Sequence, residues 1–179
     1  MDIPPQDLVL RAITGDRDAM DSLLEAVWPQ AYRVARGILR DSSLAEDVSQ
    51  DACATMYRKL ATLRTAEAFP SWFYRIIVRA SLKVAESRHE RSAELIERST
   101  PTQDATDVID LRVAMDRLPV KLRTPLVLKF FAGLSSREIG HAIGIPSPTV
   151  RFRIAIAKRR LHDALQPNTL QPEKVNAHA

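Results

Sequence analysis

Ser135-Ser136-Arg137-Glu138-Ile139-Gly140-His141-Ala142-Ile143-Gly144-Ile145-Pro146-Ser147-Pro148-Thr149-Val150 carries two helix starts and one helix stop in sixteen residues. Ser135 and Glu138 form a capping box, in which each side chain takes up an orphan amide of the first turn. The short helix behind them carries Ile139, Ala142 and Ile143 inward, and Gly144-Ile145-Pro146 ends it in a turn. Ser147 is then the natural N-cap of a second helix, with Pro148 at its first position, where a missing amide hydrogen costs nothing. Short helix, tight turn and longer helix predict a helix-turn-helix.

Within the second helix Val150, Ile154, Ala157, Leu161 and Leu165 recur at three- and four-residue steps, which predicts one core-facing stripe. Arg151, Arg153, Lys158, Arg159 and Arg160 must flank or oppose it. Segment by segment, Lys+Arg against Asp+Glu is 11 to 11 over residues 1–85, 3 to 6 over 86–109, 11 to 4 over 110–165 and 1 to 1 over 166–179. A compact module at +7 beside a neutral one is an electrostatic footprint for nucleic acid. The first turns of such a helix enter the major groove of duplex DNA, so Ser147, Thr149, Arg151, Phe152 and Arg153 are candidates for base edges. Lys158, Arg159 and Arg160 are candidates for phosphates. Phe152 and Ile156 fall off the stripe; they contact thymine methyls or a partner protein, or make a satellite contact with a neighbouring helix.

Upstream, the same helical periodicity runs on. A short amphipathic stretch around Leu8, Val9 and Ile13 stops at Gly15-Asp16, and a longer helix follows over about 18–39 with Leu23, Val27, Ala31, Ala35 and Ile38 on one stripe. Pro29 kinks or divides it. Ser43 with Glu46 reads as a second capping box, opening a helix to about Leu60 whose apolar face is Leu44, Val48, Ala52 and Met56. After a turn over 62–68, residues 70–85 read as a helix rich in aromatics and arginines. The apolar period then fades, so 86–109 reads as a flexible linker and 166–179 as a disordered tail. With only 5 Gly and 45% hydrophobic residues, the expected fold is all-α: two small helical domains, 1–85 and 110–165.

Cys53 is the single cysteine, which excludes an internal disulfide or a multi-cysteine zinc site. It lies beside an apolar helix face and reads as buried, with redox sensing as the alternative. There is no signal peptide pattern at the start and no stretch of membrane-spanning length, so a cytoplasmic protein without membrane insertion is expected. No phosphate loop or nucleophile elbow occurs, and His89, His141, His162 and His178 are scattered; neither an enzyme nor a cofactor is expected.

Three segments together carry a family resemblance covering about residues 8–165. Leu44-Ala45-Glu46-Asp47-Val48-Ser49-Gln50-Asp51, Phe69-Pro70-Ser71-Trp72-Phe73-Tyr74-Arg75-Ile76, and Leu134 through Leu161 resemble, in that order, motifs of bacterial sigma factors of the extracytoplasmic-function group. That minimal kind has only the second and fourth sigma regions. The resemblance implies binding to core RNA polymerase and to promoter DNA, and an anti-sigma protein as a further partner. It implies that Asp47, Gln50, Asp51 and Arg58 face the polymerase largest subunit, where the alternative is an ordinary solvated face. It implies that Leu63, Arg64 and Thr65 form the loop for a flipped minus-ten base. It implies a melted strand beside Arg75, Arg79 and Lys83, which supply charge at helical spacing. Trp72 is either core or a surface on which a base rests. The last segment would read the minus-thirty-five element.

This sequence departs from the family at Cys53, Tyr57, Leu63, Arg79 and Lys83, so the minus-ten bases do not transfer from relatives, and at Pro148 and Phe152 in the recognition helix. Two other readings stand beside the sigma reading. One is a sigma-like mimic that titrates an anti-sigma protein; the other is a stand-alone helix-turn-helix regulator.

Overall fold

The computed structural model describes residues 4–95 and 111–166, with side chains omitted for 89–95. Among these residues there are eight α-helices and two 3-10 turns, and no strand. The helices are α1 (Gln6–Ile13), α2 (Arg17–Leu39), α3 (Ser42–Lys59), α4 (Phe69–Leu95), α5 (Leu111–Arg117), α6 (Val120–Phe130), α7 (Ser136–Ile143) and α8 (Ser147–Leu165). The all-α architecture expected from periodicity is the observed one.

α2 is the spine of the first half. Asp16 caps it by accepting from the Ala19 amide at 3.0 Å, and Leu23, Val27, Ala31, Ala35 and Ile38 are all buried as the stripe requires. Pro29 does not divide it: the helix continues unbroken for 23 residues. Proline deprives the carbonyl four residues back of its donor, but that residue, Glu25, is exposed, as is Pro29 itself. Water can fill the vacancy.

α3 is capped by Asp41 rather than Ser43, correcting the reading of the sequence. Asp41 is extended, and its Oδ1 accepts from the Leu44 amide at 3.1 Å. A carboxylate also answers the positive end of the helix, which a hydroxyl cannot. Val48, Ala52, Cys53 and Met56 are buried against α2 and α4, while Leu44 is half-buried.

α4 departs most from expectation. It begins at Phe69 and continues to Leu95, ten residues into the stretch expected to be linker. Residues 86–88 are exposed, and Glu, Arg, Ala and Leu favour the helix without an apolar stripe. The remainder of the expected linker, 96–109, and the tail from 167 lie outside the described residues.

The two halves pack on one another. α6 lies against α2, α4 lies against α7, and a single buried cluster holds Leu23, Ile38 and Phe69 together with Val127, Leu128 and Ile139.

Candidate nucleic-acid interface

Ser135 Oγ accepts from the Glu138 amide at 3.3 Å, while the Glu138 carboxylate accepts from the Ser135 amide at 2.8 Å and from its hydroxyl at 2.6 Å. The capping box read from the sequence is therefore closed on both sides. These bonds, the hydroxyl first and the amide second, hold the Glu138 carboxyl below its ordinary pKa.

The turn follows from two glycines. Gly144 takes the left-handed conformation at φ 72°, the usual helix stop. At Gly140 the reason is proximity: a Cβ there would stand 2.6 Å from the Ile145 carbonyl oxygen, a clash with backbone that no rotamer relieves. The chain can thus fold back and start α8 at once.

Pro146, extended at φ −61° and ψ 144°, precedes the first turn of α8; Ser147 is already helical and does not cap it. The Ser147 hydroxyl instead accepts from Arg151 Nη1 at 3.0 Å, one turn on. The helix starts one residue earlier than expected, which places Pro148 second in the first turn, still free of any amide requirement.

α8 packs on α5, α6 and α7 through Val150 and Ala157, both fully buried, with Ile154 and Leu161 half-buried. Leu165, assigned to the stripe, is 42% exposed because it lies on the last turn, where neighbouring helices no longer cover it. Ile156 is half-buried against the core, so its position is the satellite contact and not a free surface. Phe152 is 65% exposed.

Among the candidates for DNA, Arg151, Arg159 and Arg160 are exposed, and Ser147, Thr149 and Arg153 are half-buried. Lys158 is also exposed, yet its ammonium sits 5.1 Å from the centre of the Phe130 ring, a cation–π contact that draws it toward α6.

In the first half, the aromatics of α4 divide by burial. Phe69 stacks on Phe73 with ring centres 5.7 Å apart and contacts Trp72 at 6.1 Å. Phe69, Phe73 and Tyr74 are buried, and the Tyr74 hydroxyl donates to Gln30 Oε1 at 2.6 Å, anchoring α4 to α2. Trp72 is only half-buried, packed on the core edge.

Arg79 and Lys83 are exposed along α4, one turn apart, and Arg75 precedes them half-buried, its Nε without a hydrogen-bond partner. Arg64 and Thr65 are exposed between the two 3-10 turns, while Leu63 leans on the core. On α3, Asp47, Gln50, Asp51 and Arg58 are all exposed and share a face by helical spacing. Tyr57, 60% exposed nearby, escaped the sequence reading as a site residue.

A second feature was missed. An apolar groove of about 650 Å³ runs along α5, α6 and α8, lined by Leu111, Met115, Phe130, Phe131 and Leu161 with Arg40 and Lys158 at its rim. Phe130 and Phe131 are both more than half exposed. Adjacent phenylalanines at a helix end were the available signal, since neighbours on a helix cannot both face one core.

Cys53 is buried, which pushes its thiol up to about 11. A thiol that stays protonated is a poor nucleophile. Among the described residues no three His, Cys, Asp or Glu side chains could together hold a metal, and no helix is long and apolar enough to cross a membrane.

Residues 23–90 match the family model of sigma-70 region 2, and residues 109–161 that of sigma-70 region 4. The chain is 31% identical over 159 residues to the ECF RNA polymerase sigma factor SigM of Mycobacterium tuberculosis, covering 87% of this chain and 81% of that one. It is 32% identical over 181 residues to the RNA polymerase sigma-H factor of Pseudomonas aeruginosa, covering 90% and 94%.

Among solved structures, CnrH in complex with the cytosolic domain of CnrY superposes with a TM-score of 0.68 at 20% identity, over 89% of this chain and 96% of that one. RpoE in complex with the anti-sigma factor NepR from Bartonella quintana gives 0.65 at 20% identity, over 81% and 95%. At that identity the likeness speaks for the fold. Both sigma regions are present in order, so neither the mimic nor the stand-alone regulator is favoured. The chain belongs to the extracytoplasmic-function family of RNA polymerase sigma factors, non-enzymatic initiation factors that direct core polymerase to promoters.

Proposed function

We propose that α8 reads the minus-thirty-five element with its amino-terminal turns, that α4 and the loop 63–65 hold the melted minus-ten strand, and that the outer face of α3 docks on core polymerase. One observation carries the first assignment: at the start of α8, Arg151 is exposed yet oriented by Ser147, beside the exposed Phe152. A guanidinium held in place loses less freedom on meeting a base edge than a mobile one. Arg159 and Arg160 are free to meet phosphates, while Lys158, drawn over Phe130, is the weakest member of that set.

For the minus-ten strand, Arg79 and Lys83 form a basic track one turn apart, with Arg75 at its head, and the half-buried Trp72 offers a ring edge near it. Flipping a base out of the stack costs a few kcal/mol, which the loop 63–65 must offset by contacts of its own. Since Leu63 leans on the core, Arg64 and Thr65 are the members of that loop free to make them.

Asp47, Gln50, Asp51 and Arg58 form the polymerase face, and Tyr57 joins it as an exposed aromatic of the kind that anchors interfaces. We infer a cytoplasmic protein with an anti-sigma protein as a further partner, as RpoE has NepR in its solved complex.

The test is in vitro transcription with purified core polymerase on a promoter library. Full activity with the unaltered chain, loss of promoter selection with Arg151→Ala and loss of polymerase binding with Asp51→Arg are expected. Failure of the unaltered chain to associate with core polymerase would sink the assignment of α3.

A further inference from the structure

Opposite its buried stripe, α8 carries an exposed stripe of a different kind. At about 3.6 residues per turn, Pro148, Phe152, Ala155 and Arg159 fall on the side away from Val150 and Ala157, and all four are exposed. Phe152, at 65%, is the most exposed large hydrophobic side chain among the described residues. Single exposed apolar side chains are ordinary, whereas here three share the outer face of a basic helix.

Polar groups able to read bases are few along this stripe. The 19 residues of α8 include no Asn or Gln, the side chains that take adenine bidentately. Pro148, in the first turn, has no amide to offer a phosphate. Arg151 stands at the edge of the stripe, its Nη1 held 3.0 Å from Ser147 Oγ, and can take a guanine. Between Arg151 and Arg159 the outermost surface is hydrocarbon, and the major-groove feature that hydrocarbon recognises is the thymine methyl. The two flanking cations fit it to a polyanion such as the duplex.

We propose that α8 selects its promoter element by thymine methyls: Phe152 and Ala155 lie against methyl groups in the major groove, with a guanine at the edge held by Arg151. The proposal rests on the assignment of α8 to the minus-thirty-five element and adds which base-pair feature is read there. From Pro148 to Ala155 the stripe is about 10 Å long at roughly 1.5 Å per residue, so the methyls lie within about three base steps of one another. Pro148 and Ala155 end close to the backbone, so Phe152 reaches deepest and carries most of the discrimination.

The test begins with core polymerase carrying the full chain, used to enrich duplex promoters from a library randomised over the minus-thirty-five element. Each thymine of the enriched element is then replaced in turn by deoxyuridine, which removes the methyl and keeps the pairing. Binding is expected to fall about fourfold, the worth of one methyl group taken out of water, at one to three neighbouring thymines. Phe152→Ala favours the helix and leaves the core untouched; it is expected to weaken binding to the thymine promoter and to abolish the deoxyuridine penalty at one of those positions. Phe152→Leu keeps hydrocarbon at that place and is expected to retain most of the penalty.

An enriched element without thymine, deoxyuridine without effect at every position, or a penalty as large in Phe152→Ala as in the unaltered chain overturns the methyl reading. So does a Phe152→Ala variant that loses core polymerase while keeping its duplex preference, which makes the residue a protein contact. Those results leave α8 on its element. A library that enriches no minus-thirty-five sequence removes α8 from the element, and the methyl reading with it.

Discussion

The two halves of this protein are built to different economies of side chain. Residues 4–95 bury large groups, Leu23, Ile38, Met56, Leu60, Phe69 and Ile77, in an electrically balanced module. The basic half buries little along α8 beyond Val150 and Ala157, and depends on local devices: a closed capping box, a glycine stop and one buried arginine that serves several carbonyls. A small, positively charged domain cannot devote both faces of its recognition helix to a core and still present cations to DNA. The first half is accordingly the rigid platform, and the second draws part of its burial from it through α6 and α7.

That contrast is open to attack at several points. Phe69→Ala, which removes a fully buried ring stacked on Phe73, is expected to cost about 3–5 kcal/mol in denaturant unfolding. A cost under about 1 kcal/mol would mean that the first half is not the platform described. Next in size, Arg151→Ala is expected to weaken binding to the preferred minus-thirty-five duplex by about 1–3 kcal/mol and to flatten discrimination at one base pair. Equal weakening on every duplex would reassign Arg151 to phosphate.

Arg159→Ala should do the converse: uniform weakening, with the slope of log affinity against log salt shallower by about 1. An unchanged slope removes Arg159 from the backbone set. Ser135→Ala should cost about 1 kcal/mol of stability, read by thermal melting, since it opens the box at α7. An effect within error would show that Gly144 and the α8 contacts hold α7 without the cap.

The smallest effect is one of pH. Because the folded Glu138 carboxyl lies below its ordinary 4.5, the unfolded chain takes up the proton first as pH falls. The stabilisation is complete above about 4.5 and declines as pH drops through the lower, folded value. Glu138→Gln should lessen the acid sensitivity of melting; an identical profile would show that Ser135 and Glu138 do not interact in solution.

Much of the site could be read from residue order because its determinants are local. A serine three residues before a glutamate, a glycine after an apolar run and cations between stripe positions act within one or two turns. The same reasoning stumbled where two local signals competed. Asp41 outdid Ser43 as a cap, and Pro146 stands at the cap position of α8 that Ser147 was expected to fill. It also equated the fading apolar period after Ala85 with the end of a helix, although helix propensity carries α4 on to Leu95 without a stripe.

The sequence by itself determined that the chain is helical, that its second half is a basic helix-turn-helix, and which faces of α3 and α8 are polar. Tertiary structure alone decided that α2 continues past Pro29, that Ile156 is covered while Phe152 is bare, and that Arg123 spans the two halves. The reason is physical: periodicity and caps report a residue's relation to its own helix, whereas burial and partner choice depend on groups brought together from distant parts of the chain.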